Sequence, residues 1–206
     1  MNDVNINKLL VSINALLPLG FLAFDGFRGN LGANPIEFFL RTTGVLTLVF
    51  LVVTLSISPL RKIFGWNGLI KYRRMLALYA FFYGCLHLIT YSIFDKGLDV
   101  PEIFRDVIQR PFIAIGMTAF LMMVPLAVTS TNGMVKRLGG KNWSRLHRLT
   151  YVVAMLGVIH FWMIVKSDVF YPAIFAGAVL ILLGYRVYGK LCTREAALRK
   201  PAVVKG

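Results

Sequence analysis

The sequence predicts an all-α membrane protein, a bundle of six transmembrane helices with both termini in the cytoplasm. Three observations carry this reading. Of 206 residues, 57% are hydrophobic and only 16% charged, whereas a soluble domain is roughly half apolar and about a quarter charged. The apolar residues fall in continuous, nearly uncharged runs of about the 18 residues that mark a span, not in the alternation of a barrel strand. The basic residues concentrate in alternate loops, as the positive-inside rule requires.

The first run, from about Leu9 to Phe24, is short and carries Pro18 and Gly20. It lacks a strongly basic leader and a small-residue cleavage site, and is read as a retained span. The second runs from about Thr43 to Leu60, the third from Met75 to Phe94 and the fourth from Phe112 to Thr129. The fifth covers about Leu149 to Val165 and the sixth about Phe170 to Tyr188. Between the third and fourth, Asp95 to Arg110 holds Pro101 between two acidic stretches and reads as a hydrated connector. Six spans at ~20 residues use about 120 residues. Loops and a basic tail over about 189–206 make up the rest. That is too little for a dinucleotide-binding domain of ~100–150 residues, so residues 1–206 read as one membrane domain without its own NAD(P)H module.

The net charge of +14 would suggest nucleic acid in a soluble protein. Here its location matters more. Lys8, the loop Arg61–Arg74, the loop Lys136–Arg148 and the tail from Arg186 put seventeen basic residues on one side, against six on the other. Two acidic residues lie on the first side and seven on the second. The partner implied is membrane lipid, not nucleic acid, and both termini fall in the cytoplasm. Cys85 and Cys192 lie in different settings, an apolar run and a basic tail, and predict no disulfide.

The chain has three histidines, all in or beside spans. His87 is 13 positions past Arg74, and His160 is 13 positions past His147. At ~1.5 Å per residue, each separation is ~20 Å of depth. His87 and His160 therefore lie at matching depth in the outer half of the bilayer, and His147 lies near the inner surface. An imidazole in hydrocarbon is costly and marks a functional site. Two at one depth on different helices can clamp one metal, and haem iron accepts axial imidazoles in an apolar surround. Zinc fits less well, because it needs three or four ligands. The alternative is a hydrogen bond from each histidine to a hydroxyl or carbonyl on a neighbouring helix. On an ideal helix His147 and His160 point ~140° apart, so both face the interior only if the helix bends or begins irregularly. Gly157 offers a bend or room for a porphyrin face. Gly84 and the aromatics Phe81, Phe82, Tyr83, Tyr91, Phe161 and Trp162 lie near the deep histidines. These aromatics can line a slot or simply pack.

Six spans with histidines on the third and fifth resemble the ferric-reductase-like transmembrane domain shared with NADPH oxidases. Local strings narrow the likeness: Leu31-Gly-Ala-Asn-Pro35, Tyr72-Arg-Arg-Met-Leu76, Leu86-His-Leu-Ile-Thr-Tyr91 and Thr129-Ser-Thr131, then Leu138-Gly139, Trp143 and Leu146-His147. Together, in this order and over nearly the whole chain, they resemble the MsrQ (YedZ) family. The resemblance implies a haem-binding subunit in the bacterial inner membrane that carries haem b, one or two per chain, and is associated with FMN. Electrons would come from quinol or a cytoplasmic flavin reductase. They would go to a periplasmic molybdopterin enzyme that repairs methionine sulfoxide in oxidised proteins. His87, His147 and His160 match the family's histidines, and Arg73 and Arg74 its paired arginines. With Arg145 and Arg148, those arginines can hold a flavin phosphate or a haem propionate, or each can simply belong to a solvated positive-inside loop that anchors to anionic lipid. Arg41 and Arg110 border the outer side, where they can serve an outer haem or snorkel. The chain departs from the wider oxidase pattern at Arg74, near where that pattern has a second histidine on span three. An inner haem at His147 would therefore lack a partner from that span.

Two other readings stand beside this one. A stand-alone metalloreductase would need a flavin/NAD domain that these residues do not supply. A non-redox transporter or assembly factor could use the histidines as proton relays or substrate ligands, though intramembrane carboxylates are nearly absent.

Overall fold

The computed structural model describes residues 3–165 and 167–198. Lys166, Arg199, Lys200 and Lys205, counted in the charge asymmetry, lie outside the described residues. The described residues form helices α1 (Asp3–Phe27), α2 (Pro35–Phe64), α3 (Arg73–Ile89), α4 (Val100–Gln109) and α5 (Pro111–Val128). They continue with α6 (Asn132–Leu138), α7 (Gly140–Leu146), α8 (Leu149–Ile164) and α9 (Phe170–Leu198). A 3₁₀ turn, Asn67–Lys71, precedes α3, and a π-helical turn, Thr90–Asp95, follows it. Six helical segments are long and apolar enough to cross a membrane, as expected from the apolar runs.

Several ends differ from the apolar runs because capping, not hydropathy, sets them. α2 begins at Pro35 rather than Thr43. The Asn34 side chain accepts from the Glu37 N–H at 3.1 Å, and Pro35 takes the first turn, where no N–H is needed. Arg41 then pairs with Glu37 one turn back at 2.6 Å, which carries the helix through a charged turn. Gly65, with φ +72°, ends α2 in the left-handed conformation. α9 continues past Tyr188 to Leu198.

The bundle is built from two main helix pairs, α2 with α3 and α5 with α8. α9 closes against α8 and α2, and α3 meets α5 between the pairs. Leu48, Leu51 and Leu55 of α2, Ala80 of α3, Met123 and Leu126 of α5 and Val153, Ala154 and Val158 of α8 form the core. α1 lies at the edge, where Tyr83 ties it on by donating to the Ala15 carbonyl at 2.6 Å. Hydroxyls inside the bundle donate back along their own helices, as Thr43 does to Phe39 O at 2.8 Å and Thr90 to Leu86 O at 2.8 Å, with the exception of Thr54, whose buried hydroxyl has no partner among the described residues. This satisfies the others where water is absent.

Proline makes one tie across the bundle. Pro59 inside α2 has no N–H, so the Leu55 carbonyl loses its helical partner. Arg186 of α9 donates to it through Nη2, and to Leu182 O through Nη1 at 2.9 Å. The same guanidinium lies over the Tyr151 ring of α8, 5.2 Å from its centroid. Arg186, counted by its sequence position with the basic tail, is a half-buried tie between α2, α8 and α9.

The segment between the third and fourth spans is not an unstructured connector. Asp99 caps α4 by accepting from Glu102 N at 3.0 Å, and Pro101 starts it. α4 is held by charge: Lys96 Nζ lies 2.8 Å from Asp106 Oδ2 and 2.7 Å from Glu102 Oε1. Tyr91 donates to Asp106 Oδ2 at 3.0 Å, and Arg110 Nε lies 3.3 Å from Oδ1. Asp106 and Lys96 are nearly enclosed, with side chains 7% and 9% exposed. The Lys96 ammonium holds the Asp106 carboxyl below its ordinary value, and the two carboxylates push Lys96 well above its own.

Candidate functional site

His87 of α3 and His160 of α8 come together in the bundle. Their ring centroids are 6.1 Å apart and their planes are at 89°. A metal bound end-on by two opposed imidazole nitrogens at about 2 Å holds ring centroids roughly 6.3 Å apart. The pair has that spacing. Each ring is anchored on a different helix: His87 Nδ1 lies 2.9 Å from Leu40 O of α2, and His160 Nδ1 lies 2.6 Å from Phe112 O of α5. A carbonyl oxygen only accepts, so in both rings Nδ1 carries the proton and donates. The lone pair is then on Nε2, which no hydrogen bond among the described residues uses. Histidines that ligate metals are held in this way, with one nitrogen on a carbonyl and the other on the metal. The donor set would fit a metal centre that takes two neutral imidazoles. No group of three or more histidine, cysteine or carboxylate side chains stands together among the described residues, so a zinc-type site is not assembled there.

His147 stands apart from this pair. It ends α7 in the turn that separates α7 from α8. That break is the irregular start the sequence required, and it removes the 140° conflict of an ideal helix. His147 Nε2 is 3.1 Å from Thr129 Oγ1, and Thr129 donates its own proton to Pro125 O at 2.6 Å. Thr129 therefore accepts from Nε2–H, and the tautomer of His147 is opposite to that of the deep pair. Trp143 stacks on the ring at 3.8 Å and donates from Nε1 to Thr129 O at 2.9 Å. Beside His147, Ser130, Thr150, Leu51, Phe81 and Met123 line a cavity of about 40 Å³, room for water and no more.

Arg73, Arg74 and Arg148 gather with His147 at the basic end. Arg73 and Arg74 open α3, and Arg74 donates to Asn132 Oδ1 of α6. Arg148 is exposed at the start of α8. Arg41 and Arg110 are paired with Glu37 and Asp106. A Cβ on Gly157 would stand 2.8 Å from Leu48 Cδ2, the end of a flexible side chain that lies against it. Gly84 faces Phe120 in the same manner, at 3.6 Å. The aromatics near the pair mostly pack on one another, Phe81 on Phe120 at 5.7 Å and Tyr83 on Phe50 at 5.5 Å. Tyr91 belongs to the Asp106 network. Leu40 and Phe112 are not legible in the sequence, because backbone acceptors leave no trace in residue type; Thr129, which meets His147 through its hydroxyl, stood in the sequence only as part of a string shared with a family.

Comparison with known proteins shows the family. Residues 41–158 match the family model "Ferric reductase like transmembrane component", a stretch that runs from within α2 to within α8 and holds the first two histidines. The chain is 54% identical over 188 residues to the protein-methionine-sulfoxide reductase heme-binding subunit MsrQ of Herminiimonas arsenicoxydans, covering 90% of this chain and 86% of that one. It is 47% identical to the MsrQ of Ralstonia nicotianae, covering 88% and 84%. It is likewise 47% identical to that of Rhodospirillum rubrum, covering 88% of each chain. With its six apolar helices, the chain is a multi-pass membrane protein of the MsrQ family, built on the ferric-reductase-like transmembrane component.

Proposed function

We propose that this chain is the haem-bearing electron-transfer subunit of a protein-methionine-sulfoxide reductase. The observation that carries the proposal is the pair His87 and His160, 6.1 Å apart and each anchored through Nδ1 on a separate helix. The two side chains would hold a haem b through Nε2. Bound there, the haem supplies a one-electron iron couple between a donor and an acceptor on opposite sides of the membrane. The chain supplies ligation, orientation and exclusion of water. Leu40 O and Phe112 O keep both rings neutral and correctly turned, and the apolar helices exclude water.

The basic end lies in the cytoplasm by the positive-inside rule, as do both termini. Electrons enter there from quinol or a cytoplasmic flavin reductase and leave on the other side to a periplasmic molybdopterin reductase, where the sulfoxide is reduced. Arg73, Arg74 and Arg148 suit the phosphate of an FMN or the propionates of an inner haem. His147 offers Nδ1 to such a group, since its Nε2 is held by Thr129.

The test is the oxidised and dithionite-reduced absorption spectrum of the detergent-purified protein, with haem and flavin quantified on the same sample. We expect a reducible low-spin b-type spectrum that His87→Ala and His160→Ala each abolish or alter. A protein without haem after expression with ample haem, or two variants with unchanged spectra, would overturn the ligand assignment.

A further inference from the structure

The two deep histidines are seated in the same way on two different helix pairs. Leu40 O receives His87, and Phe112 O receives His160. In both helices the residue four positions after that carbonyl is a glycine, Gly44 in α2 and Gly116 in α5. On an α-helix the carbonyl of residue i faces the N–H of residue i+4, and the side chain of i+4 stands beside it. Glycine there uncovers the second lone pair of the carbonyl to a ring from the neighbouring helix.

The space shows how closely the rings fill this opening. A Cβ on Gly44 would stand 3.1 Å from His87 Cε1 and Nδ1. A Cβ on Gly116 would stand 2.7 Å from His160 Cε1 and Nδ1 and 3.2 Å from Nε2. Other intramembrane glycines differ. Gly84 has only ordinary contact with Phe120 at 3.6 Å, and Gly157 meets the flexible end of Leu48.

We propose that Gly44 and Gly116 are positioning residues, which open Leu40 O and Phe112 O to the imidazoles and thereby fix the tautomer, orientation and electron-donating strength of both ligands. The proposal rests on the reading of His87 and His160 as haem ligands. A carbonyl that accepts from Nδ1–H makes the imidazole a stronger donor through Nε2. A stronger donor favours the ferric over the ferrous state, so the two bonds lower the reduction potential. Losing one raises it. The two sites are unequal: the 3.1 Å contact at Gly44 is relieved by a shift of a few tenths of an ångström, whereas 2.7 Å at Gly116 forces His160 off its carbonyl.

The experiment is redox titration, haem quantitation and low-temperature EPR of the purified, haem-loaded protein. Gly44→Ala should keep its haem and raise the midpoint potential. A tenfold loss of preference for the ferric state is about 59 mV. Gly116→Ala should lose haem affinity by roughly 10–100-fold, the usual cost of removing a metal ligand's outer partner, or shift the EPR g-values of whatever haem remains. Gly84→Ala, on the same helix as His87 but with no imidazole against it, should titrate like the parent. His87→Ala and His160→Ala run alongside. If they lose the low-spin signal while Gly44→Ala keeps the parent potential and g-values, the positioning role is wrong and the ligation stands. If the histidine variants also leave the spectrum unchanged, both are wrong. Should Gly116→Ala fail to accumulate, Gly44→Ala decides alone.

Discussion

Removing the Asp106 carboxylate tests whether α4 is held by charge. Asp106→Asn keeps the size of the side chain and an acceptor for Tyr91, which donates at 3.0 Å. It removes the ion pair to Lys96 at 2.8 Å and the longer one to Arg110 at 3.3 Å. The Arg110 pair is half exposed and contributes under about 1 kcal/mol. The Lys96 pair is enclosed on both sides. Breaking a buried pair from one side costs about 3–5 kcal/mol. Lys96 keeps Glu102 at 2.7 Å, so the lower bound applies, and about 3 kcal/mol is on the order of a hundredfold in the opening of α4. The assay is amide hydrogen exchange of the α4 peptide in detergent at neutral pH, with the α2 and α8 peptides as internal references. Acceleration below about threefold would match an exposed pair and refute the reading that α4 is held by an enclosed ion pair. The pH dependence follows from the direction of each shift. Asp106 is depressed, so its contribution is complete above the ordinary carboxylate value near 3.9 and fades as pH falls below it. Lys96 is raised, so its contribution is complete below the ordinary lysine value near 10.4 and fades as pH rises through its folded value. Protection of α4, corrected for intrinsic exchange, should be level from about pH 5 to 9 and lose its acid limb in Asp106→Asn.

Two further changes read other parts of the bundle. Arg186→Met leaves Leu55 O without a partner, because Pro59 has no N–H to offer; a cost of about 1–3 kcal/mol is expected in thermal unfolding. Adding Pro59→Ala restores a helical donor to that carbonyl, so the double variant should regain most of the loss; equal melting of the double and single variants would exclude this cause. His147→Ala removes the Thr129 and Trp143 contacts at the basic end but touches neither deep histidine. It should keep the low-spin spectrum of the pair while changing any inner haem or flavin content, and loss of the low-spin signal would place His147 in the wrong site.

The spans were legible because an unbroken apolar run has few alternatives in a chain of this length. The depth match of His87 and His160 was legible because rise per residue is fixed in a helix. What the sequence could not show were contacts made by backbone and by unpaired geometry. α4 does carry apolar residues on one helical face, Val100, Ile103, Phe104, Val107 and Ile108, but it is far shorter than a span and its anchor is Asp106, a residue type that reads as solvated. The role of Arg186 depends on Pro59, far away in sequence, uncovering a carbonyl. No internal repeat is evident in the residues, yet the two helix pairs present their histidines alike. The trace of that likeness is a spacing alone: 43 positions from Gly44 to His87 and 44 from Gly116 to His160.

The same arrangement decides between ligation and proton relay for the deep pair. A relay needs an imidazole that gains and loses a charge, with a carboxylate or a water path nearby to stabilise the charged form. The buried polar side chains among the described residues are threonines, one serine and Asp106, and Asp106 is already paired with Lys96 on α4. Both deep rings instead place Nδ1–H on a backbone carbonyl that accepts and never donates. A second proton on each ring would put two positive charges 6.1 Å apart in hydrocarbon with no counter-ion. The geometry therefore favours rings that stay neutral and offer Nε2, and that is the form a metal requires of an imidazole.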